Sequence, residues 1–242
     1  MPRTLDSFLK KADNSEPIEA MTSLYIMNII YKTWNLLLDA VFPVSIIEKG
    51  LRTLEPAQAY EIFPKAPPLP INNAWSVFAY KDERVSRLVW QIKYKRSSQA
   101  TIIGGYALYQ ILTSLDSFDL NDQIVIVPMP ISGRRRKERG FNQCELIAEE
   151  MKKLDANGRL LIKPELLSRV RHVNRQTLKN KAERLLGPKG VFFTDSKLTE
   201  TFKEKTFIII DDVITTGSTM NEAVETLKGA EIAKVYGLSL AH

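Results

Sequence analysis

Two adjacent carboxylates, Asp211 and Asp212, follow the apolar run Phe207 to Ile210 and precede the string Val213-Ile-Thr-Thr-Gly-Ser-Thr219. A turn between a strand end and a helix start can aim its backbone N–H groups at one point, and such a point attracts a phosphate. Gly217 opens a conformation closed to larger residues and lets an anion come near, while Thr215, Thr216, Ser218 and Thr219 can add hydroxyl donors. Carboxylates beside a phosphate cradle repel the ligand unless they have partners of their own. Ribose hydroxyls, or a Mg²⁺ ion shared with the ligand, would supply them. The pattern therefore asks for a phosphate on one side of the ligand and a sugar diol on the other. It is not a Walker A loop, because no Gly-Lys-Ser/Thr follows, and it lacks the spaced glycines of a dinucleotide fingerprint.

The elements that must hold these groups follow from hydrophobic pattern. Phe207 to Ile210 reads as a short strand covered on both faces, since it shows no polar alternation. Ala223, Val224 and Leu227 recur at helical spacing, Thr219 and Glu222 have the spacing of a capping box, and Gly229 stands where a helix stops. Upstream, the pattern predicts a strand over Ala74 to Tyr80, helices over Val85 to Tyr94 and about Gln99 to Leu115, and a strand over Ile124 to Val127. Asn142 can cap a helix running to about Leu154, with Glu145 three residues on. Short extended pieces are expected at Leu161 to Pro164 and Leu167 to Arg171, and a last strand over Ala233 to Ser239. Strands alternating with helices argue for an α/β fold, a mostly parallel sheet flanked by helices, whose ligands bind at the carboxyl ends of the strands.

The amino-terminal part is read differently. Residues 1–20 are polar and expected to be disordered. Thr22 to Phe42 reads as an apolar helix interrupted by Asn28, Lys32, Asn35 and Asp39, which argues against a transmembrane span. Residues 21–70 are thus an amino-terminal helix and a linker, irregular over Val44 to Pro70 with Pro64, Pro67, Pro68 and Pro70 clustered. Residues 71–242 form the main domain.

The 242 residues are 44% hydrophobic, as in a globular protein, and carry a formal charge of +6. From Ser132 to Arg184 there are 15 Lys plus Arg against 7 Asp plus Glu, so this segment alone holds +8. A local basic field implies an anionic ligand, diphosphate or a nucleic-acid backbone, and the charge count does not separate the two. The single cysteine, Cys144, cannot form an internal disulfide; with no signal-peptide pattern at the start, a cytoplasmic location is expected. Cys144 itself is expected to pack inside.

The string from Phe207 to Thr219 resembles the phosphoribosyl diphosphate (PRPP) motif of type I phosphoribosyltransferases. A second string, Val127-Pro-Met-Pro-Ile-Ser-Gly-Arg-Arg-Arg-Lys-Glu-Arg-Gly-Phe-Asn-Gln143, resembles the ComF (competence-protein) family of phosphoribosyltransferase-like proteins. Arg87 to Lys95, Arg175 to Arg184 and Tyr236 to Ala241 agree with that family, so the resemblance spans about Leu36 to His242. It implies a type I phosphoribosyltransferase-like fold and a Mg²⁺-dependent transfer of phosphoribose from PRPP to an acceptor, with release of diphosphate. Asp211 and Asp212 would meet the ribose hydroxyls and the Mg²⁺, directly or through water, and Thr215, Thr216, Gly217, Ser218 and Thr219 the 5′-phosphate. Ser132, Gly133, Arg134 and Arg139 would serve the diphosphate, and Arg175 would sit on a catalytic loop closing over PRPP. Solvated basic loops are the alternative reading of both cationic stretches.

Many members of that family carry a zinc finger just past a Phe-Pro, but Val44-Ser-Ile-Ile-Glu48 stands there without a cysteine, so no zinc is expected. The second functional reading is a non-catalytic PRPP sensor, or a DNA-uptake (competence) adaptor with single-stranded DNA or a DNA-uptake helicase as partner. A homodimer is left open. Between Ser132 and Arg184 only Phe141 is aromatic, which gives the DNA reading few stacking groups within that segment.

Overall fold

The computed structural model describes residues 46–115, 122–169, 184–186 and 190–242. The piece expected to be disordered, the helix expected over residues 22–42 and Arg175 all lie outside the described residues. Residues 47–242 form one compact unit.

Five strands build a wholly parallel sheet: β1 (Ala74–Phe78), β2 (Ile124–Pro128), β3 (Leu160–Ile162), β7 (Thr206–Val213) and β8 (Val235–Ala241), in the spatial order β1-β8-β7-β2-β3. The expected α/β architecture is therefore observed. The all-apolar runs became the central strands, and Ile124 to Pro128 and Phe207 to Ile210 are buried throughout. Cover on both faces explains why: on β8, Leu240 lies against Gly104 of α4 (Ser98–Ser114), whereas Gly237 lies against Met220 of α8 (Ser218–Lys228). The two positions are three apart on the strand, so the helices sit on opposite faces. On the α4 face, a side chain at Gly105 would strike Glu150 of α6 (Gln143–Leu154). This crossing needs a residue without a Cβ.

Three departures from the expected elements have identifiable causes. The stretch expected to be irregular holds two helices, α1 (Ile46–Thr53) and α2 (Pro56–Ile62), whose Leu51, Ala59 and neighbouring Phe63 join the core. Pro56 starts α2 rather than breaking it, because proline is tolerated in a first turn whose N–H has no helical partner. The helix expected over Val85 to Tyr94 is α3 (Glu83–Trp90), capped by Asp82, and then a π-helical turn over Gln91–Lys95 that Arg96 closes at φ +48°. Finally, a small antiparallel sheet in the order β4-β6-β5 unites Ser168–Arg169, Phe192–Asp195 and Arg184–Leu186. The strand at Phe192 was missed, since its four residues carry too short a pattern to read.

Candidate functional site

Asp211 and Asp212 lie near the carboxyl end of β7, which closes at Val213. They are not equivalent. Asp212 is buried, and both its oxygens are engaged: Lys93 Nζ lies 2.9 Å from Oδ1, and Gln143 Nε2 donates to Oδ2 at 2.6 Å. Asp211 is half-buried and keeps looser company, accepting from the Asp212 N–H at 2.8 Å and facing the Cys144 thiol at 3.7 Å. Burial, and then the neighbouring Asp212 charge, push the Asp211 carboxyl up to about 7, against the opposing pull of the Asp212 N–H and Lys93. One nearby ammonium serves two carboxylates, and Asp211 therefore favours an incoming cation or hydroxyl donor.

Beyond the acids, the chain turns sharply. The Ile214 N–H donates to the Ala241 carbonyl at 3.0 Å, tying the loop to β8, and the His242 ring meets the Ile214 carbonyl at 2.9 Å. Gly217 has φ +77°, and Ile71 lies 2.5 Å from where a Cβ would stand, so both conformation and space require glycine. The helix that follows starts at Ser218 with Gly217 as its N-cap and no side-chain cap. The expected capping box is therefore not formed: Thr219 is already helical, and Glu222 is buried and accepts from the Val191 N–H at 3.4 Å. The Ser218 N–H donates to Thr216 Oγ1 at 3.5 Å, a long bond that an anion at the helix start could replace. Thr215, Thr216, Ser218 and Thr219 are all exposed around it.

Asp211, Asp212 and Thr215 to Met220 line a cleft of about 400 Å³, together with Tyr80, Lys93, Gln143, the segment Met129 to Ile131, Arg135 and Arg169. Asn142 holds that segment. Its side chain is buried, caps α6 by accepting from the Cys144 N–H at 3.0 Å, and donates to the Met129 carbonyl at 3.1 Å. The basic run is not a loop but a short helix, α5 (Gly133–Arg139), capped by Ser132, whose hydroxyl accepts from the Arg135 N–H at 3.3 Å. Gly133 opens the helix; Arg134 points outward with 84% of its side chain exposed and pairs with Glu138 at 3.4 Å. Arg139 donates to Gln143 Oε1 at 2.9 Å. From this helix it is Arg135 that lines the cleft, facing the half-buried Arg169, whose guanidinium is pulled below its usual range by burial and then by Arg135.

Lys93, Gln143, Tyr80 and Arg169 were not singled out from sequence. Lys93 and Gln143 fall inside the stretches that carry the family resemblance, but only the fold brings Gln143 to a partner 69 residues away.

The donor set suits a hard cation. Cys144, Asp211 and Asp212 offer ligand atoms within 4.8 Å of one another. The buried Cys144 thiol is pushed well above its usual range by burial and by the two acids, so it stays protonated. With Asp212 occupied, Asp211 is the carboxylate that could hold a hard cation, which prefers carboxylate and water oxygens.

Residues 166–237 match a family model described as a phosphoribosyl transferase domain. Competence protein F of Haemophilus influenzae is 33% identical over 121 residues, 48% of this chain and 50% of that protein. Competence protein ComFC of Bacillus subtilis is 30% identical over 152 residues, 63% and 56% of the two chains. The DNA utilization protein YhgH of Escherichia coli is 28% identical over 158 residues, 64% and 66% of the two chains. The chain thus spans between half and two thirds of the length of these relatives. No helix among the described residues is long and apolar enough to cross a membrane.

Proposed function

We propose that this chain, a phosphoribosyltransferase-like protein similar to the ComF competence proteins, binds PRPP with Mg²⁺ and transfers its phosphoribosyl group to an acceptor, releasing diphosphate. One observation carries the reading: a carboxylate pair near a strand end, a hydroxyl-lined helix N-terminus and two guanidinium groups, Arg135 and Arg169, line one cleft. The helix start and Thr215 to Thr219 would hold the 5′-phosphate. Asp211 would accept from the ribose hydroxyls, while Lys93 and Gln143 keep Asp212 in place behind it. Arg135 and Arg169 would meet the departing diphosphate, whose growing charge is what most needs stabilising as the glycosidic bond breaks. Bound Mg²⁺ would neutralise part of that charge.

Calorimetry with PRPP, with and without Mg²⁺, followed by a diphosphate-release assay over nucleobases, ammonia and amines, tests this. Tight binding that needs Mg²⁺, and release with one acceptor class, are expected. Absence of PRPP binding in both conditions would remove the proposal. The names of the relatives support a second reading, a DNA-uptake role; a non-catalytic alternative is a cleft that senses PRPP without consuming it. Mg²⁺-dependent binding with no release over the whole panel would favour that reading.

A further inference from the structure

The strand order gives the cleft two flanks. Beside β7, which carries the acids, β2 lies on one side, and the Met129 N–H just past its end donates to the Ile210 carbonyl at 2.9 Å. On the other side come β8 and then β1. There the Tyr80 N–H donates to the His242 carbonyl at 2.8 Å, and the His242 ring meets the Ile214 carbonyl of the turn after β7 at 2.9 Å. Tyr80 thus follows a strand three places from β2, roughly 14 Å across the sheet at ~4.8 Å per strand.

Arg135 follows β2 and Arg169 follows β3, so the two guanidiniums of the cleft come from the β2 flank. Lys93, the remaining cation of its lining, is held by Asp212. The β1 flank contributes Tyr80, the aromatic residue among those that line the cleft. Tyr80 is 40% exposed, and among the described residues no ring or cation is stacked on it. A departing diphosphate covers one face of the ribose C1, so an acceptor must come in from the other, its nucleophilic atom ~3–3.5 Å away. With diphosphate on the β2 flank, that entry is on the β1 flank, beside Tyr80. The open face of a phenol ring suits a flat apolar ring. It attracts an aliphatic amine chiefly as the ammonium ion, the form present below a pKa of ~10.4, which has no lone pair to give.

We infer that the acceptor is a flat, uncharged nitrogen heterocycle and that Tyr80 is the platform on which it stacks, a residue that sets acceptor specificity. The inference rests on the transfer reaction proposed above and adds its acceptor class. A ring nitrogen gives its lone pair to C1 as the C1–O bond breaks, and diphosphate leaves with the bonding pair. A nitrogen that carried hydrogen passes that proton to solvent; one that did not leaves the positive charge on the ring.

The probes are adenine, uracil and benzimidazole as rings, and ammonia and butylamine as acceptors without one, each with Mg²⁺ and PRPP. Diphosphate release with a ring and not with the amines is expected. Tyr80→Ala should raise the KM for that ring about tenfold, as loss of one stacked base does, with little change in kcat, and Tyr80→Phe should restore it. Where no ring is turned over, the PRPP-loaded protein persists, and saturation-transfer NMR reads ring binding directly in the same three proteins.

Release with ammonia or butylamine alone would overturn the inference. Rings that neither react nor bind would do so too, as would equal KM or equal binding in the wild type and Tyr80→Ala. PRPP calorimetry on the same samples separates this failure from failure of the transfer reaction, and PRPP binding by Tyr80→Ala shows that the variant is folded. Wild type that binds PRPP while no ring distinguishes it from Tyr80→Ala loses the acceptor assignment alone, whereas wild type that binds no PRPP loses the reaction and the assignment together.

Discussion

The end of β7 and the helix α5 are both short contiguous stretches of charge, yet they distribute it differently. At β7 the chain leaves the sheet, turns at Gly217 and enters α8, so residues 211–219 all face one ligand-sized space. In α5 the helical twist scatters neighbours: Arg134 goes to Glu138, Arg135 to the cleft, Arg136 to Glu145 and Arg139 to Gln143. A strand-to-helix turn keeps sequence neighbours together as one site, and a helix separates them into several. Contiguity is therefore a good guide to function at the first and a poor guide at the second.

The strongest way to break that comparison is to remove the acids. Asp211→Asn with Asp212→Asn should abolish detectable Mg²⁺–PRPP binding, since two charge-assisted contacts of about 1.5–3 kcal/mol each amount to about 100-fold or more. Asp211→Asn alone should account for most of the loss, because Asp212 is already engaged by Lys93 and Gln143. Unchanged affinity in the double variant, read by calorimetry, would refute the assignment of this turn as the ribose and phosphate site.

A second variant asks whether Asp212 is anchor or ligand. Lys93→Met leaves a buried carboxylate with one amide partner, and breaking a buried pair from one side costs about 3 kcal/mol. Urea unfolding should show that loss. Lys93→Met combined with Asp212→Asn should recover most of it, because no uncompensated charge is left inside. If the double variant is no more stable than Lys93→Met, then Asp212 is not held by Lys93 in the way its 2.9 Å contact indicates.

What could be read from sequence follows the same division. The buried strands were legible because parallel strands under two layers of helix have no polar positions, and the Asn142 cap and buried Cys144 because both depend on neighbours in sequence. Gly217 was legible as the hinge of the turn, though not as the helix cap, since the Thr219 and Glu222 spacing offered a competing local solution. Lys93 was not legible. Its role depends on a π-helical turn that displaces it from the ordinary helical face, and no periodicity argument foresees such a turn. Nor could the sequence reveal that Tyr94 stands beside Arg139, some 45 residues further along.

The smallest expected effect sharpens the contrast most, because it compares neighbours in one helix. Arg135→Ala should weaken Mg²⁺–PRPP binding about tenfold, the ~1.4 kcal/mol expected when one guanidinium contact to a phosphate is lost. Arg134→Ala should change it by less than about twofold, since an exposed pair such as Arg134 with Glu138 contributes little. Both variants remove one positive charge from the same turn of α5, so a general field effect would lower the affinity equally and would show the same salt dependence in each. Direction, and not charge alone, separates them: Arg135 faces the cleft beside Arg169, and Arg134 faces solvent. Equal losses in calorimetry at two salt concentrations would mean that α5 acts on PRPP as a diffuse cationic surface, and that its residues cannot be divided between cleft and solvent.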